Sequence, residues 1–445
     1  MRKDEFDILD ELESEPESWV ELEKVEKTAF IAALVRQGET EAETQASINE
    51  MIRLADTAGI EVLGTYSQKR NQPERSTFFG IGFLEEISQK MRQAQAELLI
   101  VNEELSPTQG RNIERDYNIK VIDRTEVILS IFHDHAKTKE AKLQVRLAEL
   151  KYQLPRLKKL WGHFDKERGS ARSAGGSASR GMGEKQIEID KRLIKLQIGR
   201  NNREIEQITH QKETQRKQRE KTRKICLVGY TNAGKSTLFN RLTQAGVLVE
   251  DKLFATLDST SRQLKLSTGH PIVLSDTVGF ISKLPHHLVA SFRATLMEVQ
   301  DADLLLHMVD VSDDRFEYYI EEVDNVLSQI KADAIPQILV FNKIDRMTDQ
   351  YISLLVRRFP ESAFISASQD INIGTLLAKM ENKVLGNSSV KLRLPYDKTA
   401  LVSKLHEIAV IKSEEYLEDG IYLEVEISGD DKHLVEEFFS VRALQ

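Results

Sequence analysis

Eight consecutive residues constrain this chain more than any others. Gly229, Tyr230, Thr231, Asn232, Ala233, Gly234, Lys235 and Ser236 fit the pattern G-x-x-x-x-G-K-[ST] and follow the apolar run 225–228. A loop of this kind between a strand and a helix turns its backbone N–H groups toward phosphate oxygens. Lys235 can then reach the β- and γ-phosphates, and Ser236 can offer its hydroxyl to Mg2+. Two more motifs follow in order. Asp276, Thr277, Val278 and Gly279 close the apolar run 272–274, which puts a carboxylate at a strand end, where it can hold Mg2+ through water. The Gly279 amide can meet the γ-phosphate. Asn342, Lys343, Ile344 and Asp345 follow the run 338–341. The Asp345 carboxylate can accept two hydrogen bonds from guanine, at N1–H and the exocyclic amine. Adenine has an acceptor at N1, and a mismatch of that kind can discriminate by roughly 10⁴. Together the motifs predict GTP binding by a doubly wound P-loop domain over residues 224–388.

Phosphoryl transfer to water needs charge neutralisation and an oriented nucleophile. Lys235 and the loop amides supply the first. The best second metal ligand beside Ser236 is Thr256, within Phe254, Ala255, Thr256, Leu257 and Asp258, a segment expected to fold over the γ-phosphate. Thr260 and Ser261 are weaker candidates. Ser366, Ala367 and Ser368 are placed to brace the base through backbone amides. Phe280 stands where Ras-like proteins carry a water-positioning glutamine, and a phenyl ring cannot orient water, so intrinsic turnover should be slow. Asn232 has two readings: its carbonyl oxygen helps bind K+ as a substitute arginine finger, or it shapes the loop. The catalytic candidates are therefore Lys235, Thr256 and Asn232.

At 445 residues the chain is too long for one core. Its net charge of −9 argues against a nucleic-acid partner, but the distribution reverses that. Residues 136–224 hold 25 Lys and Arg against 11 Asp and Glu, and the remainder holds 37 against 60. Such a basic block is an electrostatic footprint for phosphate backbones. Its first part carries Leu143, Leu147, Leu150, Leu154, Leu157 and Trp161 at heptad spacing, with Pro155 expected to kink the helix. Its last part carries Ile187, Ile194, Ile198, Ile205 and Ile208 on a helix expected from residue 184 to about 221. The Gly- and Ser-rich stretch 169–183 lies between them, so the simplest arrangement is an antiparallel hairpin with a flexible tip. Arg168, Arg172 and Arg180 are the RNA-contact candidates there; the plainer reading is a solvated coiled coil with a linker.

Residues 1–25 read as an acidic tail and 26–135 as a parallel α/β domain. Strands are expected at 30–35, 60–63, 98–101 and 121–123, and helices at 41–58 and 107–117. The hairpin spans 136–223, and a small α+β domain 389–445, with a helix at 402–410 and a strand at 421–427. The lone Cys226 lies in an apolar strand and reads as a core residue, so no internal disulfide can form. Met1-Arg2-Lys3-Asp4-Glu5 lacks a signal-peptide core, and no run reaches membrane-span length. The expectation is a cytoplasmic monomer.

Several stretches outside the nucleotide motifs resemble the HflX family of ribosome-associated GTPases. They are Leu105-Ser106-Pro107-Thr108-Gln109-Gly110-Arg111-Asn112, Val121-Ile122-Asp123-Arg124-Thr125-Glu126, Leu143-Gln144-Val145, residues 147–157, and Gly181-Met182-Gly183-Glu184. The resemblance implies a factor that binds the large ribosomal subunit through rRNA in its GTP form and splits stalled or idle ribosomes, with the hairpin tip near the peptidyl-transferase centre. It also implies nucleotide contacts from the motifs above and Mg2+ on Ser236 and Thr256. The alternative is a GTP-timed assembly factor or RNA chaperone. The sequence departs from the family at Gly80-Ile81-Gly82-Phe83, where two lysines are usual. That departure puts a second phosphate or nucleotide contact there in doubt.

Overall fold

Parallel strands need long crossovers, and the alternation of strand and helix along this chain supplies them twice. The computed structural model describes residues 27–157, 178–217, 222–244, 253–254, 260–266, 269–282, 298–385, 388–417, 420–427 and 434–438. The chain forms two compact units.

In the first unit, β1 (Lys27–Val35), β2 (Ile60–Lys69), β3 (Leu98–Val101) and β4 (Lys120–Asp123) form an all-parallel sheet in the order β2-β1-β3-β4. The crossovers are α1 (Glu41–Thr57), α2 (Ile81–Ala94) and α3 (Pro107–Tyr117), and α4 (Arg124–His135) follows β4. Capping boxes start α1, through Thr40 and Glu43, and α3, through Ser106 and Gln109. Pro107 stands in the first turn of α3, where its missing N–H costs nothing. Phe30, Leu34, Phe79, Leu84, Leu99 and Ile113 pack in one core.

Two features differ from the sequence expectation. β2 runs for 10 residues rather than four, and only its first residue is fully buried, the rest alternating between half-buried and exposed as an edge strand does. α2 was not foreseen, because its N-cap Gly80 carries no capping side chain.

The hairpin elements are α5 (Lys139–Gln153), a 3-10 turn at Leu154–Arg156 where Pro155 interrupts the helix, and α6 (Ala178–Lys217). α6 has 40 residues, about 60 Å of helix, and begins earlier than expected, inside the stretch read as a flexible tip. Lys139 at the start of α5 lies 3.5 Å from Glu204 in the later half of α6, as an antiparallel pair requires. Leu147, Leu150 and Leu157 of the heptad seam are buried. Gln144, Val145, Ala148, Glu149 and Tyr152 are buried too, so α5 is packed on more than its hairpin side. The reason is α4. Tyr152 donates to Glu126 at 2.9 Å, His133 pairs with Glu149 at 3.0 Å, and Arg156 donates to the Leu105 carbonyl at 2.6 Å and lies 3.4 Å from Asp123. Leu253 and Phe254 also belong to this unit. The Leu253 amide donates to Thr57 Oγ1 at 3.3 Å, and the Phe254 ring meets the Phe132 ring edge-on at 4.7 Å.

The second unit holds a six-stranded sheet in the order β10-β9-β8-β5-β7-β6. Its strands are β5 (Arg223–Gly229), β6 (Thr260–Lys265), β7 (Pro271–Asp276), β8 (Leu304–Asp310), β9 (Gln337–Asn342) and β10 (Ala363–Phe364). All pair in parallel except β6, which runs antiparallel to β7. β6 was not foreseen from its residues, TSRQLK, which are mostly exposed and polar. α7 (Lys235–Thr243), α8 (Phe316–Gln329), α9 (Asp349–Arg358) and α10 (Ile373–Leu385) complete this layered domain. A three-stranded antiparallel sheet follows: β11 (Ser388–Leu394), β12 (Val410–Leu417) and β13 (Gly420–Ile427), in the order β11-β13-β12. α11 (Thr399–Ile408) packs over it through Val402 and Leu405. Cys226 is buried in β5, as its surroundings suggested.

Candidate nucleotide-binding site

The strand ends β5, β7, β8 and β9 converge on one edge of the sheet, where ligands bind in open α/β folds. β5 ends at Gly229, whose φ of +147° and position demand glycine: a Cβ there would stand 2.3 Å from the Met308 carbonyl oxygen. Asn232 adopts the left-handed conformation, φ +62°, and Gly234 follows at +92°. A Cβ on Gly234 would stand 2.2 Å from Asn342 Nδ2. These conformations close the phosphate loop, and α7 begins at Lys235 with its N-terminal amides facing the loop.

Lys235 is buried and donates to the carbonyls of Gly229 at 3.1 Å and Tyr230 at 2.8 Å. Burial pushes its ammonium down to about 8, against the pull of the Asp276 carboxylate. Such an amine is poised to gain from any anion brought beside it. Ser236 donates its hydroxyl to Asp276 Oδ2 at 2.7 Å. A hydroxyl and a carboxylate converging in this way are hard oxygen donors of the kind Mg2+ selects, so this pair fits the metal. Thr277 donates to the Leu227 carbonyl at 2.6 Å, fixing the end of β7 to β5, and Val278 is buried beside it. Thr231 Oγ1 is buried and finds no hydrogen-bond partner among the described residues. Ala233 is buried too, and its carbonyl faces the next motif.

The two base-side motifs are knitted to this loop. Asn342 donates from Nδ2 to the Ala233 carbonyl at 2.9 Å and accepts the Ala367 amide at its Oδ1 at 3.0 Å. One buried side chain thereby sets the spacing between the phosphate loop, the Asn342–Asp345 turn and the loop after β10. Lys343 adopts the left-handed conformation, and its ammonium pairs with Asp310 at 2.7 Å. Ile344 is buried and anchors the turn, which leaves Asp345 exposed at the sheet edge. The Ser366 and Ser368 hydroxyls lie 3.2 Å apart, and Ser366 Oγ accepts the Gln369 amide at 3.3 Å.

Lys235, Ser236, Asp276, Gly279, Asn342 and Ala367 thus gather around one loop. Ala255, Thr256, Leu257 and Asp258 lie outside the described residues, as do Arg168 and Arg172, and nothing is described of the Arg180 side chain. Phe254 is buried against Phe132 in the first unit, at φ +57°. Sequence reasoning missed Asp310, although it ends an apolar strand much as Asp276 does. It also missed the aromatic contact between Tyr230 and Tyr319, whose rings stack at 4.1 Å across 89 positions of sequence that no local pattern connects.

A strand-loop-helix phosphate cradle with guanine-nucleotide motifs at the neighbouring strand ends defines a P-loop GTPase, an enzyme that hydrolyses GTP. Comparison with known proteins narrows the class. Residues 45–133 match the family described as GTP-binding GTPase N-terminal, 135–219 the GTP-binding GTPase Middle Region, and 224–343 the 50S ribosome-binding GTPase family. GTPase HflX of Caldanaerobacter subterraneus subsp. tengcongensis is 39% identical, over 98% of this chain and 99% of that protein. GTPase HflX of Escherichia coli is 39% identical over 87% and 91%. A GTP-binding protein of Sulfolobus solfataricus, solved in complex with GDP, is 27% identical over 80% of this chain and 98% of that one, with a TM-score of 0.41. The chain belongs to the HflX family of GTPases.

Proposed function

We propose that this GTPase binds the large ribosomal subunit through rRNA in its GTP form and separates stalled or idle ribosomes into subunits, acting as a cytoplasmic monomer. The observation that carries the reading is the pairing, in one chain, of a phosphate-loop nucleotide cradle with a strongly basic helical segment whose α6 is 40 residues long. The family described as 50S ribosome-binding GTPase, matched over 224–343, supports the same partner. Among the described residues no helix is long and apolar enough to cross a membrane.

In this reading the loop amides and Lys235 hold and neutralise the β- and γ-phosphates, and Asp345 reads the guanine edge. Ser236 and Thr256, with Asp276 acting through water, would hold Mg2+, which would supply charge neutralisation at the phosphates. Asn232 helps bind K+ beside the phosphates. Phe280 cannot orient water, so turnover is slow until the ribosome completes the site. Binding GTP favours the conformation that fits rRNA, and hydrolysis releases it. Arg168, Arg172 and Arg180 contact rRNA at the tip.

Deleting residues 169–183 tests the reading. A splitting factor lacking this tip keeps GTP hydrolysis and loses subunit separation in a sedimentation assay. Retained splitting would contradict the proposal. Loss of binding to subunit precursors, with splitting unaffected, would favour a GTP-timed assembly factor.

A further inference from the structure

The segment after Asp276 does not merely pass the phosphate loop; it is paired to it. Phe280 and Tyr230 form a parallel bridge. The Thr231 amide donates to the Phe280 carbonyl at 2.8 Å, and the Phe280 amide to the Gly229 carbonyl at 3.1 Å. The pairing brings Gly279 hard against the loop. A Cβ on Gly279 would stand 2.9 Å from Thr231 Cα and 3.0 Å from Lys235 Nζ. Only a glycine, with no Cβ, can lie this close to both. A phosphate oxygen bound to the Lys235 ammonium needs about 2.8 Å of its own, with the phosphorus beyond it. No phosphate fits between Lys235 and Gly279 while they stand this way. Of the loop amides, the bridge engages that of Thr231. The paired form suits a diphosphate, and a triphosphate must part Gly279 from the loop.

Backbone pairing alone would be available to any residues here. Two side-chain contacts are specific to this chain's choice of residues. The Ser282 amide donates to the Tyr230 hydroxyl at 2.6 Å, two residues beyond the bridge. The other side of the Tyr230 ring is stacked on Tyr319 of α8 at 4.1 Å, with 29° between the planes. Arg315 lies over Tyr318 at 4.4 Å and over Tyr319 at 5.5 Å, steadying that aromatic group. The Tyr230 ring is fixed by α8, and its hydroxyl fixes the segment carrying Gly279.

We propose that Tyr230 is a positioning residue that sets the preference between GDP and GTP, by holding Gly279 on the phosphate loop until a terminal phosphate displaces it. The proposal rests on the GTPase assignment and is independent of the ribosome.

Kd values for GDP and for GMPPNP, measured on the full chain and on Tyr230→Phe and Tyr319→Leu, test it. Tyr230→Phe keeps the ring and removes the acceptor for Ser282 N–H. The expected result is a shift of the GDP/GMPPNP affinity ratio toward the triphosphate by about fivefold, the factor one net hydrogen bond carries. For Tyr319→Leu, outside the phosphate loop, GDP affinity should stay within about twofold. Tyr319→Leu should shift the ratio the same way, and both variants should speed amide exchange at residues 280–282 in the GDP form. A merely structural tyrosine would weaken both nucleotides equally. An unchanged ratio, or equal loss for both nucleotides, overturns the proposal. Failure of the unmodified protein to bind either nucleotide would instead contradict the GTPase assignment.

Discussion

Lys235 shows how a single burial decides chemistry. Its ammonium is held inside the protein by two carbonyls and lies near 8, well below a free lysine. An incoming phosphate restores the charged form, so the bound state takes up a proton wherever the free protein has lost it. Nucleotide binding at pH 8.5 should therefore show net proton uptake from this group, and none from it at pH 6.5. Calorimetry in buffers of different ionisation enthalpy reads the difference, and Lys235→Ala should abolish both the uptake and tight binding. Asp345 is the second test at this scale. It is exposed at the sheet edge, free of the buried bracing that occupies Asn342. Asp345→Asn exchanges a two-fold acceptor for a mixed donor and acceptor, so preference should move from guanine to xanthine nucleotides, by about 10² or more in relative Kd. Retained guanine preference would remove Asp345 from base reading.

The elements carry their own signatures. β8 places His307 in the middle of the second unit's sheet, 1% exposed and 3.7 Å from Asp324. Burial lowers its pKa to about 4. The unfolded chain binds this proton near 6.5 and the folded chain only near 4, so stability falls as pH drops through that window. The loss approaches about 3 kcal/mol for a shift of this size. Denaturant titrations at pH 7 and pH 4.5 should show that His307→Gln loses less stability on acidification than the unmodified protein; equal acid sensitivity would assign the effect elsewhere. The elements also show what a sequence reveals. β5, β7 and β9 were legible because each is a buried apolar run ending in a motif residue with a chemical task, and β8 from its apolar run alone. α1 was legible from its apolar periodicity, and α3 from Ser106 and Pro107. β6 was not, because an exposed antiparallel edge strand has no apolar run to announce it. The packing of α5 was half legible: its leucine seam showed, while Tyr152 to Glu126 and Arg156 to Asp123 are contacts between elements that no spacing encodes.

The whole molecule is acidic with one basic block, and that contrast organises its expected partnership. RNA affinity should fall steeply with salt as counterions are released. Replacing Arg168, Arg172 and Arg180 with Ala should weaken RNA binding and flatten the log–log salt slope by up to about two, at roughly 0.7 per lost phosphate contact. Unchanged slope and affinity would make the tip a linker. The motifs of the second unit were read from contiguous residues, so its class was plain from sequence. The latch on the phosphate loop was not, since Tyr230, Ser282 and Tyr319 meet only once the chain has folded.

Ribosome-activated GTP hydrolysis is tested most directly by GTP turnover measured with and without purified large ribosomal subunits, in K+ and in Na+ buffer. Slow intrinsic hydrolysis and strong stimulation by the subunits are expected, the stimulation larger in K+ because Asn232 then has its ion. Turnover that is indifferent to subunits in both buffers would contradict it.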